Sequence, residues 1–178
     1  MIRRATVAVL VLTAGCAGTS TAPTAGRVPS TTAPAPTRTV VSSARVYPAG
    51  RTAVIRAQAG VALRLRASTP RLSQTSLSSS YGHPPQHGYY LTFRVVAVNT
   101  GRRPISLGPR DFYLRVPGRG RVTSYDGNSP YSGASAQLDP TELDAGQRVA
   151  GPLTFDVGRR HGRLAFAPDG SPAVLWTY

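Results

Sequence analysis

Lysine is absent from this 178-residue sequence, cysteine occurs once, and the acids number only seven. Each shortage closes off a class of chemistry. Without lysine there is neither a Schiff-base amine nor a Ser-Lys nucleophile. A lone cysteine forbids an intrachain disulfide, so an apolar core must hold the fold unaided. No Gly-x-Ser-x-Gly elbow is present, nor a glycine loop that opens onto a helix to cradle phosphate. Long apolar runs are missing too. The longest, residues 5–14, would span about 15 Å as a helix, roughly half the hydrocarbon core of a bilayer, so it does not read as a membrane span.

What is present at the start reads as an export signal. Arg3 and Arg4 precede that uncharged run, and the small residues Thr13-Ala14-Gly15 lead into Cys16. The segment resembles a bacterial lipobox. That likeness implies that residues 1–15 are removed and that Cys16 is diacylated to become the mature N-terminus. It further implies anchoring in the cell membrane at its extracytoplasmic face. Two or three acyl chains suffice for stable attachment, whereas one short chain binds only marginally.

All 21 basic residues are arginine, and the formal net charge is +14. Abundant Ala, Gly and Pro beside this arginine bias suggest a genome of high G+C content. In a cytosolic protein such charge would suggest nucleic acid. An exported chain meets lipid headgroups, acidic wall polymers and surface glycans instead, so nucleic acid is not the expected partner. Residues 16–44 form the next unit. Of the 28 positions after Cys16, 23 are Ala, Gly, Ser, Thr or Pro, and none is aromatic. That composition predicts a disordered linker spanning about 30 Å, which would lift a folded domain off the membrane.

From residue 45 to 178 the dominant period is two. Leu63, Leu65 and Ala67 alternate with Arg64, Arg66 and Ser68. Leu91, Phe93, Val95 and Ala97 share one face of residues 89–98. Phe112, Leu114 and Val116 alternate with Asp111, Tyr113 and Arg115, and Leu153, Phe155 and Val157 with Thr154 and Asp156. Leu164, Phe166, Val174 and Trp176 complete the apolar set. Strict alternation predicts half-buried antiparallel strands with their polar side to water. Turn residues separate them at Asn99-Thr100-Gly101, Pro117-Gly118, Asp126-Gly127-Asn128 and Ala145-Gly146. The expected fold is all-β, an antiparallel sandwich, with Phe93 and Trp176 as core anchors.

Several segments carry a resemblance. They are Leu91–Gly101 with Pro104-Ile105-Ser106, then Asp111-Phe112-Tyr113-Leu114, then Leu143–Gln147 leading into Gly151–Val157. Together they resemble the immunoglobulin-like domain of unknown function found in surface lipoproteins of actinobacteria and firmicutes. That domain belongs with the immunoprotective extracellular immunoglobulin-like proteins. The likeness implies an immunoglobulin-like antiparallel β-sandwich outside the membrane, and it brings no catalytic residues. Ser73–Gln86 is longer and richer in serine than the family pattern.

Candidate sites are few. His83 and His87 are the one close histidine pair, but Pro84-Pro85 between them rules out a shared helical face, and a third metal ligand would have to come from afar. Asp139, Glu142 and Asp144 crowd one loop without the ligand alternation of an EF-hand, so turn chemistry explains them better. No metal, cofactor or catalytic residue is therefore expected, and the chain does not read as an enzyme. The arginines are different. Arg102 and Arg103 flank one turn, Arg115, Arg119 and Arg121 a second, and Arg159, Arg160 and Arg163 a third. Turns at one end of a sandwich gather in space, so these eight are the candidates for an anion-binding rim, with solubility and codon bias as the plainer explanation of the clusters. The expected function is a tethered, non-catalytic binding domain that engages an envelope protein as an interaction module or surface antigen. The alternative ligand is an acidic polymer or lipid headgroup.

Overall fold

The computed structural model describes residues 44–56, 60–135 and 137–178. The expected signal peptide, Cys16 and the linker up to residue 43 lie outside the described residues. Within them the chain forms strands β1 (Arg45–Pro48), β2 (Thr52–Arg56), β3 (Ala62–Ala67), β4 (Arg71–Ser73), β5 (Tyr89–Asn99) and β6 (Ile105–Leu107). There follow β7 (Phe112–Val116), β8 (Gly120–Val122), β9 (Thr141–Leu143), β10 (Arg148–Val157), β11 (Arg163–Phe166) and β12 (Val174–Thr177).

One sheet runs β1-β12-β11-β7-β8, and a second runs β10-β5-β3-β2, with β4 also on β5. A small β6-β9 ribbon stands apart. Placing β5 with β10 in one sheet, and β7 with β11 and β12 in the other, reproduces the B–E and C–F–G partition of an immunoglobulin-like sandwich. β1 pairs parallel with β12, while the other strand pairs are antiparallel. The alternation in the sequence explains the core. Leu91, Phe93, Val95, Ala97, Leu153, Phe155 and Val157 point inward from the second sheet, against Phe112, Leu114, Leu164, Phe166, Val174 and Trp176 from the first. Each large side chain buried this way contributes about 1.5–3 kcal/mol.

β3 and β4 lie along the same flank of β5 but are out of step. Ala67 opposes Val95 while Arg71 opposes Thr92, so one extra residue sits on the β3–β4 side. Ser68 fills that β-bulge by donating its N–H to the Arg94 carbonyl at 2.9 Å and accepting the Arg94 N–H on Oγ at 2.9 Å.

The expectation that the polar positions face water fails at one end of the second sheet. Thr154 and Asp156 are completely buried. Two loops, residues 74–88 and 123–135, fold over the outer face there. The Tyr90 hydroxyl, beneath them, donates to the carbonyls of His83 (2.8 Å) and Asn128 (3.1 Å). The serine-rich insert is therefore a cover for the sheet, with most of its own side chains facing water. Tyr113 departs likewise, buried under the Arg121 guanidinium.

Candidate anion-binding groove

The β7–β8 hairpin and β11 set three of the expected arginines side by side. Arg163 opposes Arg115 across β11 and β7, and Arg115 opposes Arg121 across β7 and β8. Neighbours in such a register have Cβ atoms about 5 Å apart, and like charges placed so repel. No carboxylate relieves them, because no arginine among the described residues forms an ion pair with one. The row lies in an open groove of about 710 Å³ lined also by Tyr113, His161 and Tyr178. The Arg121 guanidinium is stacked 4.0 Å above the Tyr113 ring, which orients its plane and leaves its N–H groups at the edge.

Gly162 lets the β10–β11 connection approach this floor. A Cβ there would fall 2.6 Å from the Arg115 carbonyl oxygen and 2.9 Å from the Tyr178 hydroxyl. That hydroxyl is buried without a protein partner, and burial pushes its pKa up, so it stays a neutral O–H donor. The groove thus offers guanidinium forks and an aromatic wall, a set suited to phosphate or carboxylate.

The other expected arginines divide. Arg119, on the β7–β8 turn, reaches the His87 Nε2 atom. Arg160 stacks 4.5 Å from the Tyr89 ring centroid and donates to its hydroxyl at 3.1 Å, and Arg159 is exposed beside it. These three lie at the same end of the sandwich as the groove, because the β7–β8 turn and the β10–β11 connection both close that end. Arg102 and Arg103 do not join them. Their loop is tied to the far end of β5, where the Arg102 N–H donates to the Gly60 carbonyl at 3.0 Å and Asn99 Nδ2 to the Arg103 carbonyl at 2.7 Å. β5 is 11 residues long, which is about 35 Å. The expected rim of eight is a cluster of six with two at the opposite end. At the other end of β7, a second groove of about 730 Å³ is lined by Asp111, Glu142 and Asp169 together with Arg110. Burial, and secondarily Asp169, raise the Asp111 pKa, against a hydrogen bond from Gly108 N–H that lowers it.

Sequence reasoning missed Asp156, which organises the end of the molecule that bears the groove. Its Oδ2 accepts the N–H groups of Gln86 (2.7 Å) and Asn128 (2.8 Å), and its Oδ1 accepts that of His87 (2.9 Å). His87 Nδ1 lies 3.4 Å from the same Oδ1. Gly127 makes this possible: its φ is +58°, and a Cβ there would sit 2.6 Å from Asp156 Oδ2. The two histidines part company as a result. His83 packs edge-on against Tyr131, with centroids 6.0 Å apart, while His87 lies between Asp156 and Arg119. A His–Asp pair supplies two of the three members of a catalytic triad, yet the outer nitrogen of His87 meets a guanidinium and not a nucleophilic hydroxyl.

Tyr90 neighbours Asp156 across the β5–β10 pair. Burial and then the Asp156 charge raise its pKa to about 12. The folded state therefore holds a proton that the unfolded chain releases near pH 10, and its stability contribution is full below pH 10 and lost as pH rises toward 12. Thermal melts at pH 8–11 should show the midpoint falling above pH 10, with a shallower fall in Tyr90→Phe. An equal slope in that variant would place the alkaline sensitivity elsewhere.

No family model matches this chain, and no curated protein does, so the resemblance to the immunoglobulin-like lipoprotein family is carried no further than the fold. Among solved structures the chain is similar to MPT63, a secreted protein of Mycobacterium tuberculosis. The match has a TM-score of 0.56 and 14% identity, covering 77% of this chain and 100% of that one. The ycdA protein of Bacillus subtilis aligns with a TM-score of 0.48 and 20% identity over 65% of this chain and 36% of that one. The yjhA protein of the same organism aligns at 0.48 and 16% over 72% and 84%. At such identities the MPT63 match shows the sandwich fold alone.

Proposed function

We propose that this chain is an extracytoplasmic, non-catalytic binding module, lipid-anchored at Cys16, that holds an acidic envelope polymer in the Arg115–Arg121–Arg163 groove. The observation that carries the reading is the cross-strand arginine row with no carboxylate partner. Like charges held together in a folded protein cost stability, and a bound anion offsets that cost. The export-signal reading of residues 1–16 and the sandwich shared with a secreted mycobacterial protein support the location. The ligand is a linear polyanion of phosphodiester or carboxylate groups, because several guanidinium forks stand in a row in an open groove.

Polyglutamate and a poly(glycerol phosphate) of matched length serve as probes. Binding to at least one should weaken steeply as salt rises from about 50 to about 500 mM, because the screening length shrinks roughly threefold. The triple variant Arg115→Ala/Arg121→Ala/Arg163→Ala should lose on the order of a hundredfold in affinity, from three solvent-exposed charge pairs of up to about 1 kcal/mol each. Unchanged affinity in that variant, or binding insensitive to salt, would overturn the assignment.

A protein partner is the second reading, and one observation favours it. Tyr81 and Tyr131 are 67% and 63% exposed on the two loops that cover Asp156, next to the exposed Leu77. The Leu77 N–H donates to the Ser132 carbonyl and the His83 N–H to the Tyr131 carbonyl, so these loops present the aromatic rings as one ordered surface. Such a patch is the usual anchor of a protein interface.

A further inference from the structure

The uncovered part of the second sheet presents a different basic surface. In β2, β3, β5 and β10 the outward positions run Val54–Arg64–Val98–Arg148 across one row and Thr52–Arg66–Val96–Ala150 across the next. Arg94 stands opposite Pro152, Arg71 opposite Thr92, and Arg56 at the end of β2. All six arginines are exposed. The outward positions of these strands hold one acid, Asp156, and it is buried beneath the loops at the far end. Around Arg64, Arg66 and Arg148 the surface is a bare sheet, and only its Arg71 and Arg94 end borders hollows, of about 290 and 480 Å³. Adjacent strands are about 4.8 Å apart and alternate residues about 6.8 Å, so the charges are spread over two dimensions. Val54, 44% exposed, Val96 and Val98 lie between them.

We propose that this face docks on an anionic lipid bilayer. A linear polymer follows a channel and engages one line of cations, whereas a sheet of lipid phosphates presents charge over an area, as this face does. The interleaved valines suit the boundary between headgroups and acyl chains, where a water-filled polymer coil offers nothing apolar. Guanidinium groups on long stems reach phosphates above the plane of the sheet, and Arg66, whose Nε–H donates to the Gly50 carbonyl at 2.8 Å, keeps its terminal N–H groups for them. The inference is independent of the groove on the other sheet and of acylation at Cys16. It orients the molecule with the second sheet toward the membrane and the groove facing away.

The test uses the full chain carrying Cys16→Ser, which cannot be acylated, with vesicles of phosphatidylcholine alone or mixed with phosphatidylglycerol. Partitioning should favour the anionic vesicles and collapse at high salt. Each arginine near an anionic surface accounts for about a fivefold change in partitioning, so Arg64→Ala/Arg66→Ala should lose roughly 25-fold. Arg115→Ala/Arg121→Ala/Arg163→Ala should partition like the parent. Melting temperatures of both variants, measured alongside, separate lost docking from lost folding, and Arg64→Lys/Arg66→Lys should retain most of the partitioning. Equal partitioning to neutral and anionic vesicles overturns the proposal. So does unchanged partitioning of the Arg64/Arg66 variant, or loss of soluble polyglutamate binding in that variant with vesicle binding intact, which would make the face a polymer site.

Discussion

Replacing Asp156 by alanine is expected to remove about 3–5 kcal/mol of stability and to lower the melting temperature by roughly 10–20 °C. Its carboxylate is fully buried and receives three backbone N–H groups from two separate loops. Truncation leaves those donors facing a cavity with no acceptor, and hydrogen bonds to a charged group are worth about 1.5–3 kcal/mol each. Asp156→Asn should recover only part of the loss. Oδ1 and Oδ2 both accept N–H groups, so an amide nitrogen on either side confronts a donor. Denaturant melts of both variants check the magnitudes, and amide exchange at Gln86, His87 and Asn128 checks the mechanism. A shift of less than about 3 °C for the alanine variant would show that the loops are held by something else.

Trp176→Ala is expected to cost about 3–5 kcal/mol. The indole is fully buried in the first sheet, and its Nε1–H donates to the Arg51 carbonyl at 2.9 Å, fastening the β1–β2 connection to β12. Trp176→Phe should lose less, about 1–2 kcal/mol, keeping most of the apolar volume while leaving the Arg51 carbonyl without its donor. No disulfide backs up this core. Calorimetric unfolding of the two variants measures both losses; equal losses would mean that packing is irrelevant and the hydrogen bond is everything.

The long strands were legible because their apolar residues alternate without interruption. β5, β7, β10, β11 and β12 follow from residues such as Leu91, Phe93, Leu114, Phe155 and Trp176, each of which is buried as the period requires. β4, β6, β8 and β9 have only three residues each, too few for a period to show. Alternation also says which face a residue takes, but not whether that face is covered. Thr154 and Asp156 were read as wet for this reason: the loops that bury them are remote in sequence and carry no pattern of their own. The arginine groove lay between these cases. Turn clusters signalled charge at one end, yet only the register of β11 on β7 and of β7 on β8 distinguishes the adjoining Arg115, Arg121 and Arg163 from Arg102 and Arg103. The basic face of the second sheet could have been suspected from Arg64 and Arg66. Its extent depends on β10 and β5 lying beside β3, a long-range pairing.

The parallel pairing of β1 with β12 has a mechanical consequence. Arg45 to Pro48 run alongside Val174 to Thr177 in the same direction. A pull transmitted through Ala44 along the axis of β1 therefore acts lengthwise on the ladder, sharing the strain among its rungs at once. An antiparallel hairpin peeled from its open end would yield rung by rung. Tension entering from that side therefore meets a ladder loaded in shear, the arrangement in which all four rungs must give way together.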